Sequence, residues 1–86
     1  MEWELVATQN FLKTCREEGL DSSSIASAMF RLARALEGKR DFFFLKLSGI
    51  DPTGKERLTE IWVKVDNYNG QEGIDRLVTL LLPEDY

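Results

Sequence analysis

The sequence contains no histidine and only one cysteine, and these shortages exclude several kinds of chemistry. Histidine is the commonest general base and metal ligand near neutral pH, and a cysteine nucleophile is normally activated by a neighbouring histidine. Cys15 has no second cysteine to pair with, and it falls on the apolar side of a predicted helix, where free cysteine packs as a small hydrophobic residue. We therefore predict no catalytic residue, no metal site and no cofactor, and a protein that is not an enzyme on its own.

Long apolar runs are also missing. The longest are FFFL at 42–45 and LVTLLL at 77–82, far short of the roughly 18 residues that a membrane span needs. The acidic N-terminus has neither the basic nor the apolar region of a secretory signal. Together with the single cysteine, these features predict an intracellular, cytoplasmic protein that makes no membrane contact.

The composition that remains is that of an ordinary globular protein, with 43% hydrophobic and 30% charged residues. A chain of 86 residues predicts one small domain, 1–86, with a modest core. The net charge is −4, yet the segment 31–57 carries seven basic and four acidic residues. An acidic chain argues against general nucleic-acid binding, whereas the basic middle keeps a local anionic contact open.

Apolar spacing predicts two N-terminal helices. The first covers 4–18, with Leu5, Leu12 and Cys15 on one side, and it ends at Gly19. The second begins at Asp21 or Ser22 and runs to about residue 37, with the most regular apolar spacing in the chain.

The spacing of apolar residues near the C-terminus predicts a further helix from about Gln71 to Leu82. Ile74, Leu77 and Leu81 form its apolar stripe, and the proline at position 83 ends it.

The segment between these helices predicts a β-hairpin with strands at about 42–50 and 56–66. The turn DPTGK at 51–55 places Pro52 where its fixed φ fits and Gly54 where φ is positive. Aromatic and β-branched residues dominate the second strand, as is typical of strands. Residues 58, 61, 62 and 65 also have helical spacing, so a helix from Thr53 to Tyr68 is the alternative.

The turn fixes the register of this hairpin if Asp51 pairs with Lys55. One face of the two strands is then apolar throughout, and a slip by one residue would mix the faces. The pairs expected on the other face are Phe44 with Trp62, Phe42 with Lys64, and Lys46 with Glu60.

The predicted fold is therefore α+β: two N-terminal helices, a hairpin at about 42–50 and 56–66, and a C-terminal helix. An all-α bundle of four or five helices is the alternative.

Several large apolar residues have no assigned place in the core of the predicted fold, and they lead to a functional hypothesis. A contiguous exposed apolar patch on a small protein usually marks a binding surface. The sequence predicts a non-enzymatic protein-interaction module, a subunit, adaptor or inhibitor, that binds a protein partner or a second copy of itself as a homodimer. The predicted interface consists of Phe42, Phe44, Trp62, Trp3 and Phe30.

Two other functions stay open. The basic residues of the middle segment, 31–57, predict contact with nucleic acid or another anionic ligand, of which nucleic acid is not favoured. Cations near a helix C-terminus also complement the helix dipole, which explains part of this cluster without a ligand. The other function is a component of an enzyme whose site is shared between chains. The residues proposed for the anion contact are Arg31, Arg34, Lys39 and Arg40.

Overall fold

The computed structural model describes residues 2–50 and 52–86. Two helices and a four-stranded mixed sheet make up the fold, and the strand order in the sheet is β1-β4-β3-β2. β1 is parallel to β4, whereas the other neighbours are antiparallel. The α-helices and strands in chain order are β1 (Trp3–Ala7), α1 (Gln9–Glu17), α2 (Ser22–Ala35), β2 (Phe42–Ile50), β3 (Glu56–Asn67) and β4 (Arg76–Leu81). Two short 3-10 helices, Gln71–Gly73 and Pro83–Asp85, flank β4.

The layout predicted from the sequence is wrong at the C-terminal end, where a strand replaces the expected helix over 71–82. β4 is a central strand, paired with β1 on one side and β3 on the other. Val78 and Leu80 are buried on the helix side of the sheet, and Leu81 is buried on the opposite side. A strand covered on both faces has no alternation of polar and apolar residues, and the resulting apolar run imitates helical spacing.

The predicted layout is also wrong at the N-terminal end, where the expected helix over 4–18 is split. Residues Trp3–Ala7 form β1, and their exposure alternates with the period of a strand. α1 begins at Gln9, after Thr8, whose backbone is extended and whose hydroxyl accepts a hydrogen bond from the Phe11 amide at 3.1 Å. With four strands present, the all-α bundle is wrong as well.

The second helix lies close to its predicted place. Asp21 caps it, because one carboxylate oxygen accepts the Ser23 amide at 3.1 Å and the Ser24 amide at 3.3 Å. Such a cap satisfies amide groups that have no partner within the helix. α2 ends at Ala35, two residues before the predicted end.

The hairpin is present with its predicted register. Phe44 pairs with Trp62, Phe42 with Lys64 and Lys46 with Glu60, and the alternative helix over residues 53–68 is wrong. Gly54 has φ +84°, as the turn chemistry requires. Asp51, the residue expected to open the turn, lies outside the described residues.

Both helices pack on one face of the sheet, and this face contains the core. The largest fully buried side chains include Phe11 from α1 with Ile61 and Leu80 from the sheet, each 0% exposed. Burying a side chain of this size stabilises the fold by about 1.5–3 kcal/mol. The remaining core residues are Cys15, Met29, Ala33, Phe43, Val63, Val65, Val78 and Leu82. Because α1 and α2 both pack on this side, neither of them covers the opposite face of the sheet, which we call the helix-free face.

Candidate binding surface

The helix-free face of the sheet displays the side chains that alternate with the core residues. Successive side chains of a strand point to opposite faces, so the even-numbered residues of β2 and β3 and the odd-numbered residues of β4 lie here. The strand register aligns Phe44, Trp62 and Leu81 in one row across the sheet. The next row contains Phe42, Lys64, Thr79 and Val6.

Four aromatic residues gather on this face, and we call Phe42, Phe44, Trp62 and Tyr86 the aromatic patch. The Phe42 and Trp62 rings meet edge to face with centroids 5.2 Å apart. Tyr86 lies 5.8 Å from the Phe42 ring and 5.4 Å from the Trp62 ring, also edge to face. Aromatic pairs in this geometry stabilise by about 0.5–1.5 kcal/mol beyond the area that they bury. The rings of Phe42, Trp62 and Tyr86 therefore stabilise one another on the sheet.

The aromatic patch contains both packed and exposed side chains. Leu81, which pairs with Trp62 across the strands, is only 5% exposed, and Trp62 itself is half-buried. Phe44 is 57% exposed and Phe42 is 38% exposed. The patch thus combines a fixed base with exposed ring surface, which is the arrangement of an aromatic anchor at a protein interface.

A hydrogen bond fixes the orientation of the indole. Trp62 Nε1 donates to the Glu60 carboxylate at 2.6 Å, and this partner satisfies the polar atom of an otherwise apolar ring. The carboxylate also contributes to the charge of the surface. By register, the four strands place four acidic residues (Glu4, Glu56, Glu60, Asp66) and two basic residues (Lys46, Lys64) on the helix-free face.

Tyr86 reaches the patch because the preceding turn is attached to the start of α1. Asp85 Oδ2 accepts a hydrogen bond from the Thr8 hydroxyl at 2.7 Å, and Asp85 Oδ1 accepts one from the side-chain Nδ2 of Asn10 at 2.6 Å. The hydrogen bond from Thr8, followed by those from Asn10 and the Leu82 amide, holds the pKa of Asp85 below its ordinary value. Reasoning from sequence missed Tyr86, since no local pattern reports a contact that depends on the course of β4.

Trp3 and Phe30, two residues of the predicted interface, lie elsewhere. They pack on the helix side of the sheet, where their rings meet edge to face with centroids 6.4 Å apart. The Arg34 guanidinium lies 5.7 Å from the Trp3 ring centroid and 6.0 Å from the Phe30 ring centroid, a cation–π arrangement. The five predicted interface residues thus divide between two surfaces, and three of them belong to the aromatic patch.

The four residues of the predicted anion contact are all exposed. Arg31 and Arg34 lie on α2, and the guanidinium of Arg34 already contacts the two rings described above. Lys39 and Arg40 follow the helix, and their backbone amides donate to the Leu36 carbonyl at 2.8 and 3.0 Å. Their role in binding an anion stays a prediction.

Cys15 is 2% exposed, and burial raises the pKa of its thiol. Among residues 2–50 and 52–86, no group of three or more acidic or cysteine side chains is arranged to hold a metal ion. In the same part of the chain, neither helix has the length and apolar character that crossing a bilayer requires.

Comparison with protein-family profiles, with curated proteins and with solved structures finds no match to this chain. A proposal about its function therefore rests on the surface itself.

Proposed function

We propose that this chain is a non-enzymatic protein-binding module and that the aromatic patch is its contact surface. The observation that carries the proposal is the 57% exposure of Phe44 beside the fixed indole of Trp62 on a sheet face that the helices leave uncovered. A few residues carry most of the binding energy at protein interfaces, and large aromatic side chains such as Trp and Tyr are enriched among them.

The charge of the surface favours a polypeptide over nucleic acid. The helix-free face carries four acidic and two basic residues by register, and one of the acids, Glu60, touches the indole of Trp62. Bases stacked on these rings would bring the phosphates of their backbone toward carboxylates, whereas single-strand binding surfaces combine aromatic rings with positive charge.

Replacement of Phe44 by serine tests the proposal, with Val6→Ser as the matched control. Both residues are exposed on the helix-free face, at 57% and 45%, but Val6 lies on β1, two strands away from the strand of Trp62. We expect Phe44→Ser to weaken binding by about 2 kcal/mol, roughly 30-fold, and Val6→Ser to leave it unchanged. The tagged wild-type chain and the two variants, with equal thermal stability verified, would be used to recover bound proteins from a native extract.

Trp62 fluorescence measures binding at the aromatic patch directly. The chain has two tryptophans, so Trp3→Phe leaves Trp62 as the reporter. Adding a protein recovered by the wild-type chain should change the Trp62 emission, and Phe44→Ser should shift the titration to higher concentration. Equal recovery by wild type and Phe44→Ser, together with an unchanged emission, would remove the basis of the proposal.

A further inference from the structure

We propose that the polypeptide bound by this module is a second copy of the chain, added to the sheet by antiparallel pairing of β2 with its counterpart. This inference rests on the proposed function and names its partner. It places the contact at the edge strand β2, which carries Phe42 and Phe44 of the aromatic patch, and it predicts a continuous eight-stranded sheet in the dimer.

The direction of the backbone groups at this edge follows from one hydrogen bond. The Val65 amide donates to the Asp41 carbonyl at 2.7 Å, which identifies this pair as a hydrogen-bonded pair of the antiparallel ladder. Such pairs alternate with non-hydrogen-bonded ones, so the odd-numbered residues of β2 bond to β3. The even-numbered residues from Phe42 to Ile50 therefore direct their amide and carbonyl groups away from the sheet.

Over residues 42–48 the edge formed by β2 lacks the features that normally prevent strand addition, whereas Gly19 lies against the Ile50 carbonyl at the end of the strand. The nine residues of β2 keep a continuous register with β3 and contain no proline. Natural edges are usually short, bulged, charged or interrupted by proline. The one charged residue of β2 is Lys46, and its neighbour across the hairpin is the oppositely charged Glu60. The opposite edge of the sheet, β1, has only five residues.

Apolar side chains of β2 are incompletely covered on both faces of the sheet. Phe42 and Phe44 are exposed on the helix-free face, and Leu45 and Leu47 are only half-buried on the helix side. A protein that docked flat on the aromatic patch would cover one pair and leave the other. A strand added at the edge covers both, because its own side chains alternate between the two faces.

The sequence of β2 is complementary to itself when Leu45 lies on the two-fold axis. Leu45 then meets Leu45 of the second copy, and Phe43 meets Leu47 on the same face. On the helix-free face Lys46 lies opposite Phe44 of the second copy, so that its ammonium can approach an aromatic ring. Placing the axis at Lys46 would instead set two lysines against each other, which is destabilising.

Sedimentation measures whether the copies associate and whether the backbone is responsible. Pairing over 42–48 makes a small interface, so we expect a dissociation constant on the order of micromolar. Lys46→Pro removes an outward amide without touching the bonds to β3, and Lys46→Ser removes the same side chain but keeps that amide. We expect dimers for wild type and Lys46→Ser, and at least tenfold weaker association for Lys46→Pro. A monomeric wild type at ~1 mM, or a Lys46→Pro variant that associates as the wild type does, overturns the inference.

Cysteine cross-linking tests the register independently of the proline variant. In a Cys15→Ala background, Leu45→Cys puts two thiols in a non-hydrogen-bonded pair, where α-carbons are about 4.5 Å apart and a disulfide fits. Ser48→Cys is the control, since its counterpart would lie six residues away along the strands, about 20 Å. With oxidised glutathione we expect a covalent dimer for Leu45→Cys only, and cross-linking at residue 48 instead overturns the register.

The proposed function and this inference can fail separately. In one outcome the chain is monomeric in sedimentation, yet wild type and Val6→Ser recover a protein that Phe44→Ser does not. The partner is then a different protein, and only the inference of a second copy is refuted. If the chain dimerises through β2 but Phe44→Ser has no effect on any association, the aromatic patch is not the contact surface.

Discussion

The hydroxyl of Thr8 bonds both to the first turn of α1 and to Asp85, which lies 77 residues further along the chain. It accepts the Phe11 amide at 3.1 Å and so caps α1, and it donates to Asp85 Oδ2 at 2.7 Å. A hydroxyl can do both because it has one proton and two lone pairs. The start of the first helix and the turn that carries Tyr86 to the aromatic patch therefore depend on one oxygen atom.

Thr8→Val should be destabilising because it keeps the shape of the side chain and removes that oxygen. Losing an N-cap costs about 1 kcal/mol, and the Asp85 carboxylate loses a donor in addition. Thr8→Ser keeps the hydroxyl and is the control. Urea unfolding of the three proteins measures the difference, and equal midpoints for valine and serine at position 8 would contradict a capping role.

Asp85 should make stability depend on pH in acid. Its pKa in the folded state is below the ordinary value of 3.8 because of hydrogen bonds from Thr8, Asn10 and Leu82. A carboxyl whose folded-state pKa is lowered stabilises the fold fully above the unfolded-state pKa, and this contribution disappears as pH falls through the lower folded-state value.

The stability of Asp85→Asn measures this contribution directly. We expect the variant to be less stable than wild type above about pH 4, and the two curves to converge as the pH falls further. Asp21, which caps α2 and also has a lowered pKa, is unchanged in both proteins and so cancels. A difference that is constant between neutral pH and strong acid would show that the charge of Asp85 is not involved.

Gly19 should tolerate substitution less well than Gly38, although both have positive φ, +70° and +77°. A Cβ on Gly19 would lie 2.1 Å from the Ile50 carbonyl oxygen, whereas one on Gly38 would meet nothing within 4 Å. We expect Gly38→Ala to cost about 1 kcal/mol for the backbone alone, and Gly19→Ala to cost about 2 kcal/mol more from the clash. Chemical denaturation gives both values, and similar losses at the two sites would mean that the 18–21 turn does not pack against β2.

The hairpin could be predicted because its determinants are local. Pro52 and Gly54 set the turn, and the alternation of side chains then sets the register that puts Phe44 beside Trp62. Asp21 likewise marks the start of α2 within three residues of the amides that it caps.

The other two strands could not be predicted in the same way, since their stability comes from distant partners. β1 pairs in parallel with β4, joining Trp3 to Arg76, and nothing near either residue encodes this contact. The failure also affected the candidate site. Three residues of the aromatic patch follow from the hairpin alone, whereas Tyr86 and the buried Leu81 beside Trp62 depend on the position of β4.

Two leucines within residues 71–82 can distinguish the strand β4 from the predicted helix. Leu77 lies on the apolar stripe of the predicted helix and Leu80 lies off it, but in the sheet Leu80 is 0% exposed and Leu77 is half-buried. We expect Leu80→Ala to lower the free energy of unfolding by about 2–5 kcal/mol, as for a large-to-small change in a core. Leu77→Ala should cost clearly less, because its side chain is not fully enclosed. The two substitutions remove the same atoms, so helix propensity affects them equally and only their surroundings differ. A larger loss for Leu77 than for Leu80 in urea unfolding would favour the helix and contradict β4.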